Sequence, residues 1–62
     1  MNYSENYQVM NNRINEASTI DALRKLEKSL DRCAAVGCFV DSDIARLDSK
    51  LLAKLIKLEV KT

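Results

Sequence analysis

Residues 33–44 read Cys33-Ala34-Ala35-Val36-Gly37-Cys38-Phe39-Val40-Asp41-Ser42-Asp43-Ile44, and they hold the only glycine of a chain without proline. A glycine can take the left-handed conformation that ends a helix, and Asp/Ser pairs provide side-chain oxygens and negative charge suited to a helix start. The stretch therefore predicts one helix stopping at Gly37 and another beginning at Asp41-Ser42-Asp43. The link between them is only a few residues long, which favours an antiparallel hairpin. Phe39 lies just ahead of the second helix, where it can staple onto Ile44 or a neighbour.

The helical period holds on both sides of this hinge. Upstream, Leu23, Leu26, Leu30 and Cys33 step by three, four and three and are joined by Ala22 and Ala34 in one apolar arc. Ser18-Thr19-Ile20-Asp21 precedes them as a near capping box, with Asp21 in the place usual for Glu or Gln, and sets the start of helix 2. Downstream, Ile44, Leu47, Leu51, Leu55 and Leu58 fall on one face of a helix running to about Val60, while Ala45, Leu52 and Ile56 form a second ridge round the cylinder. Nearer the N-terminus, Tyr7, Met10, Ile14 and Ala17 make a third stripe, predicting helix 1 over about residues 4–17 with Ser4 as its cap. The opposite face is Asn6, Gln8, Asn11, Asn12 and Asn15, uncharged and rich in weak helix formers, so helix 1 must gain its stability by docking.

The expected fold is thus all-α: one domain over residues 1–62, three helices, helices 2 and 3 forming the hairpin. At 62 residues the chain is too short for a two-domain enzyme, a nucleotide-binding α/β sheet or a TIM barrel. A chain of this size is also near the lower limit for a self-sufficient core. The apolar arc of helix 3 is wider than one antiparallel partner covers, and helix 1 is short and polar. A homodimer is therefore expected, with an interface of Leu47, Leu51, Leu55, Ile56 and Leu58 joined by Leu26 and Leu30 of helix 2. The alternative is a monomer in which helix 1 folds across that surface.

Composition narrows the chemistry further. There is no histidine, so the usual general base and the imidazole of a catalytic triad are missing, and a single glycine cannot build a phosphate-binding loop. Asp41-x-Asp43 starts like a calcium loop, but Arg46 stands where the turn requires glycine and Leu52 where a bidentate glutamate is required. Cys33 and Cys38 are the only cysteines. They are too few for a zinc site without histidine and wrongly spaced for a redox Cys-x-x-Cys, which leaves packing as their expected role. No enzyme, metal or cofactor is expected. The N-terminus lacks a secretory signal pattern and no apolar run approaches a membrane span, so a reduced cytoplasmic setting is expected.

Ten Lys/Arg against nine Asp/Glu give a net charge of +1, which excludes a strongly basic protein but not a local patch. Arg46, Lys50, Lys54, Lys57 and Lys61 form a continuous strip along helix 3, and over residues 50–62 four lysines against Glu59 leave +3. Helix 2 adds Arg24, Lys25, Lys28 and Arg32, diluted by Asp21, Glu27 and Asp31. The strip admits three readings: a solvated face, contact with nucleic-acid phosphates, or an acidic protein partner. Base-edge readers are concentrated in helix 1, so sequence-specific DNA readout has little support. Tyr3 and Tyr7, one turn apart, are expected to pack rather than stack on bases.

The segments Thr19-Ile20-Asp21-Ala22-Leu23-Arg24-Lys25-Leu26-Glu27, Ala35-Val36-Gly37-Cys38-Phe39 and Asp43-Ile44-Ala45-Arg46-Leu47-Asp48-Ser49-Lys50-Leu51 resemble small helical-hairpin accessory proteins of lambdoid phages, encoded between the exonuclease and excisionase genes. The resemblance implies an early-expressed, dimeric, all-helical regulator in the bacterial cytoplasm that influences phage development by contacting DNA; the alternative reading of the residues is an adaptor or inhibitor that binds a host protein through an apolar helix ridge. A second likeness, through Arg13-Ile14, Thr19-Ile20-Asp21 and Leu51-Leu52-Ala53-Lys54-Leu55, is to the Hha-type nucleoid modulators, whose aromatic core residues are absent here.

Overall fold

The computed structural model describes residues 2–61, with side chains through Val60, and contains three helices: α1 Tyr3–Glu16, α2 Ile20–Ala35 and α3 Asp41–Lys61. No strand occurs among the described residues. α2 and α3 form the expected hairpin. α1 lies against both, with its Asn6 near Cys38 at the hinge and its Asn15 near Lys54 farther along α3. That order of contacts makes α1 run in the same direction as α3 and opposite to α2, an up-down-up bundle. At about 1.5 Å rise per residue, the 21 residues of α3 outreach the 16 of α2 and the 14 of α1.

Helix ends follow local chemistry, with shifts of one or two positions. Asn2, not Ser4, caps α1: its Oδ1 accepts from the Glu5 N–H at 3.1 Å. Thr19, not Ser18, caps α2, its Oγ1 accepting from the Ala22 N–H at 3.1 Å, which places Asp21 inside the first turn rather than in a capping box. Both caps satisfy an amide that has no partner within its helix. For α3, the Ile44 N–H donates to the Val40 carbonyl at 3.1 Å, so Val40 stands at the cap position. Asp41 and Asp43 thus act from within the first turn, through favourable charge at the positive end of the helix dipole rather than as caps.

The hinge closes as the sequence requires. Gly37 has φ +80°, the Cys38 N–H donates to the Cys33 carbonyl at 2.9 Å, and the Gly37 N–H donates to the Ala34 carbonyl at 3.2 Å. These paired bonds form a Schellman motif, with Gly37 in the left-handed position. Phe39 and Ile44 then occupy the positions before the cap and four beyond it, the places of a hydrophobic staple. Phe39 is buried in the core and Ile44 packs against that core.

The core comprises Met10, Ile14, Ala17, Leu23, Leu30, Phe39, Leu47 and Leu51, with Tyr7, Leu26, Cys33, Leu55 and Leu58 packed around it. This placement corrects the expected dimer interface. Leu47 and Leu51 are 0% and 1% exposed within a single chain, and Leu30 only 2%, because α1 and the hairpin close over them. They are core residues and present no surface to a second copy. Leu55, Leu58 and Leu26 are half-buried, and of the named interface set only Ile56 is exposed.

Candidate functional site

Three faces can be distinguished on α3. One is the core face just described. The second carries the basic strip, and the docking of α1 divides it. Lys54 Nζ donates to the backbone carbonyls of Ile14 and Asn15, at 2.7 and 2.6 Å. Those carbonyls belong to the last turn of α1, where no intrahelical amide remains to pair with Asn15 and where the helix dipole is negative. The lysine thus provides both hydrogen bonds and charge to a helix end. Lys50 Nζ donates to the side-chain oxygens of Asn11 and, at 3.3 Å, Asn15. The asparagine-rich face of α1, unfavourable for an isolated helix, is in part a set of acceptors for the lysines of α3.

Arg46 and Lys57 are exposed, and neither makes a hydrogen bond seen among the described residues. The Lys61 side chain lies outside the described residues. The five-residue basic strip expected from the sequence is therefore two residues joined to α1 and two open to solvent, with the fifth undescribed. On α2, Arg24, Lys25, Lys28 and Arg32 are all exposed, as are Asp21, Glu27 and Asp31 between them. Among the described residues, the two helices bring no single unmixed basic patch together.

The third face of α3 points away from the bundle. Leu52 is 51% exposed, Ile56 60% and Val60 80%, and they share this side with Ala45, Ser49 and Ala53, all exposed. On a helix these positions span an arc of about 100° centred opposite the core residues. Charges flank the arc asymmetrically: Asp41 and Asp48 border one edge, Arg46 and Lys57 the other. Sequence periodicity had detected the ridge of Ala45, Leu52 and Ile56 but could not say that it stays uncovered, since that depends on where α1 docks. Tyr3 and Val9 of α1 are also partly open, whereas Tyr7 is half-buried against the core.

Among the described residues there is no group of three or more His, Cys, Asp or Glu that could hold a metal ion. Nor, among the described residues, is any helix long and apolar enough to cross a membrane. Comparison with protein-family models, curated proteins and solved structures gives no match for this chain.

Proposed function

We propose that this chain is a small non-enzymatic regulatory protein that works as a pair, two copies joined along the outer faces of their α3 helices. The observation that carries the reading is the exposure of Leu52, Ile56 and Val60 together on one helix face, whereas the other exposed aliphatic residues, Val9, Val36 and Val40, are spread over α1 and the hinge. The flanking charges favour a second copy as the occupant. When two helices pair in parallel, one edge of each faces the opposite edge of the other. Asp41 on one edge would then lie opposite Arg46, five residues on, on the other, whereas antiparallel pairing would set like edges together. The resemblance to small phage accessory proteins supports a regulatory role in phage development in the bacterial cytoplasm.

Nucleic-acid contact is a second reading, favoured by the exposure of Arg46 and Lys57, which pairing would double. Lys54 argues against the strip as a whole being used, because it would have to release two carbonyls of α1 to reach a phosphate. Sedimentation of the intact chain and of the Leu52→Ser/Ile56→Ser variant tests the pairing, with helicity followed by circular dichroism. The pair is expected for the intact chain and a helical monomer for the variant. A helical monomer in both overturns it. A host protein that co-purifies with the intact monomer but not with the variant would assign the face to that partner instead. Retardation of duplex DNA that falls steeply with salt, and falls less steeply without Arg46 and Lys57, would support the phosphate reading.

A further inference from the structure

Cys33 and Cys38 are five positions apart, which on a continuous helix would turn them well away from each other. The Schellman turn changes this. Cys33 is the last-turn residue whose carbonyl accepts from the Cys38 N–H at 2.9 Å, and the two positions joined by that bond are those whose side chains usually meet across such a turn. Both cysteines are half-buried and both line one cleft of about 130 Å³ at the corner between α1 and the hinge, walled also by Asn6, Val9, Met10, Arg13 and Phe39. Burial raises the Cys33 thiol above its usual range, the nearby Cys38 raises it further, and Arg13 acts in the opposite sense. From the same cleft, Asn6 Nδ2 donates to the Cys38 carbonyl at 2.9 Å, so α1 is tied to the same residue.

We propose that Cys33 and Cys38 form a reversible dithiol–disulfide site, oxidised within the chain by small-molecule disulfides such as glutathione disulfide. The Cys38 thiolate attacks one sulfur of glutathione disulfide, forming a mixed disulfide at Cys38 and releasing one glutathione thiolate. The Cys33 thiol then loses its proton to solvent, and its thiolate attacks the Cys38 sulfur. The intrachain S–S bond forms as the second glutathione thiolate leaves. Two electrons pass from the cysteine pair to glutathione disulfide, which ends as two glutathiones. A disulfide spans Cα atoms about 4.4–6.8 Å apart, a separation consistent with residues joined by this turn bond. The site is independent of the α3 outer face, and closing it would lock the turn from which the hairpin and the Asn6 contact are built.

Incubation of the full chain with glutathione disulfide, followed by alkylation and intact-mass measurement, tests this. The expected product is a single chain lighter by two hydrogens that takes up no alkylating agent and carries no glutathione, and that dithiothreitol restores to two alkylatable thiols. Cys33→Ser should instead accumulate a glutathione adduct at Cys38, because no second thiol resolves it. Three results each overturn the proposal: two alkylatable thiols after oxidation, a persistent glutathione adduct on the intact chain, or a disulfide between chains. Should a serine variant unfold, the intact chain's mass and thiol count still decide the matter.

Discussion

The basic strip and the outer ridge of α3 exchange the roles their residue types suggest. Lys50 and Lys54, charged and apparently made for solvent, are engaged in holding α1, while Leu52 and Ile56, aliphatic and apparently made for a core, stand open. The cause lies in α1. Its apolar stripe is narrow: Met10, Ile14 and Ala17 join the core, and Tyr7 packs at its edge, beside Ala45, Ser49 and Ala53 of α3. Its remaining contact with α3 is polar, through Asn11, Asn15 and the carbonyls of its last turn. A lysine's long flexible stem can reach such acceptors from an adjacent helix. Charge patterning therefore marks a seam between helices here as much as a surface for partners.

The largest difference between the faces should come from placing a carboxylate on each. Leu51→Asp buries an unpaired charge at a position 1% exposed and should unfold the chain, at a cost of several kcal/mol. Leu52→Asp, one residue on but 51% exposed, should keep the far-ultraviolet helical signal and lose only self-association. Equal loss of helicity in both would erase the distinction between inner and outer faces.

Within the strip the contrast is smaller. Lys54→Ala removes two hydrogen bonds to α1 and should cost about 1–2 kcal/mol, while Lys57→Ala should remain within about 0.5 kcal/mol of the intact chain. For a domain of this size, each kcal/mol lowers Tm by about 4–8 °C, so thermal melts of the two variants should separate clearly. Lys50→Ala, which loses only side-chain partners at an exposed position, should fall between them.

At the hinge, nothing lies within 4 Å of a Cβ added to Gly37, so Gly37→Ala should cost only the backbone strain of φ +80°, about 1 kcal/mol. Gly37→Asn should cost less, since asparagine tolerates the left-handed region. A denaturant titration that ranks alanine equal to or above asparagine would argue that the turn rearranges.

Much of the fold was legible because local rules set it. The periods of Leu23/Leu30 and Leu47/Leu51, the lone glycine and the position of Phe39 lead to the observed hairpin without tertiary information. Caps moved by one or two residues because Asn2 and Thr19 compete with Ser4 and Ser18, and local sequence does not rank such neighbours. The candidate site was less legible. Whether a lysine reaches a carbonyl on another helix depends on packing angle and side-chain reach, which periodicity does not encode. The Cys33–Cys38 approach was hidden for a related reason: five residues is not a spacing that shares a helix face, and only the left-handed turn at Gly37 makes them neighbours.

The division of the strip is tested most directly by native acetylation at limiting reagent, with the extent at each lysine read by peptide mass spectrometry. Lys54, bonded to Ile14 and Asn15, should react last, and Lys57, exposed one turn beyond it, among the first. Equal rates at Lys54 and Lys57 in the folded chain would contradict the account and return the strip to a uniform solvent-facing surface.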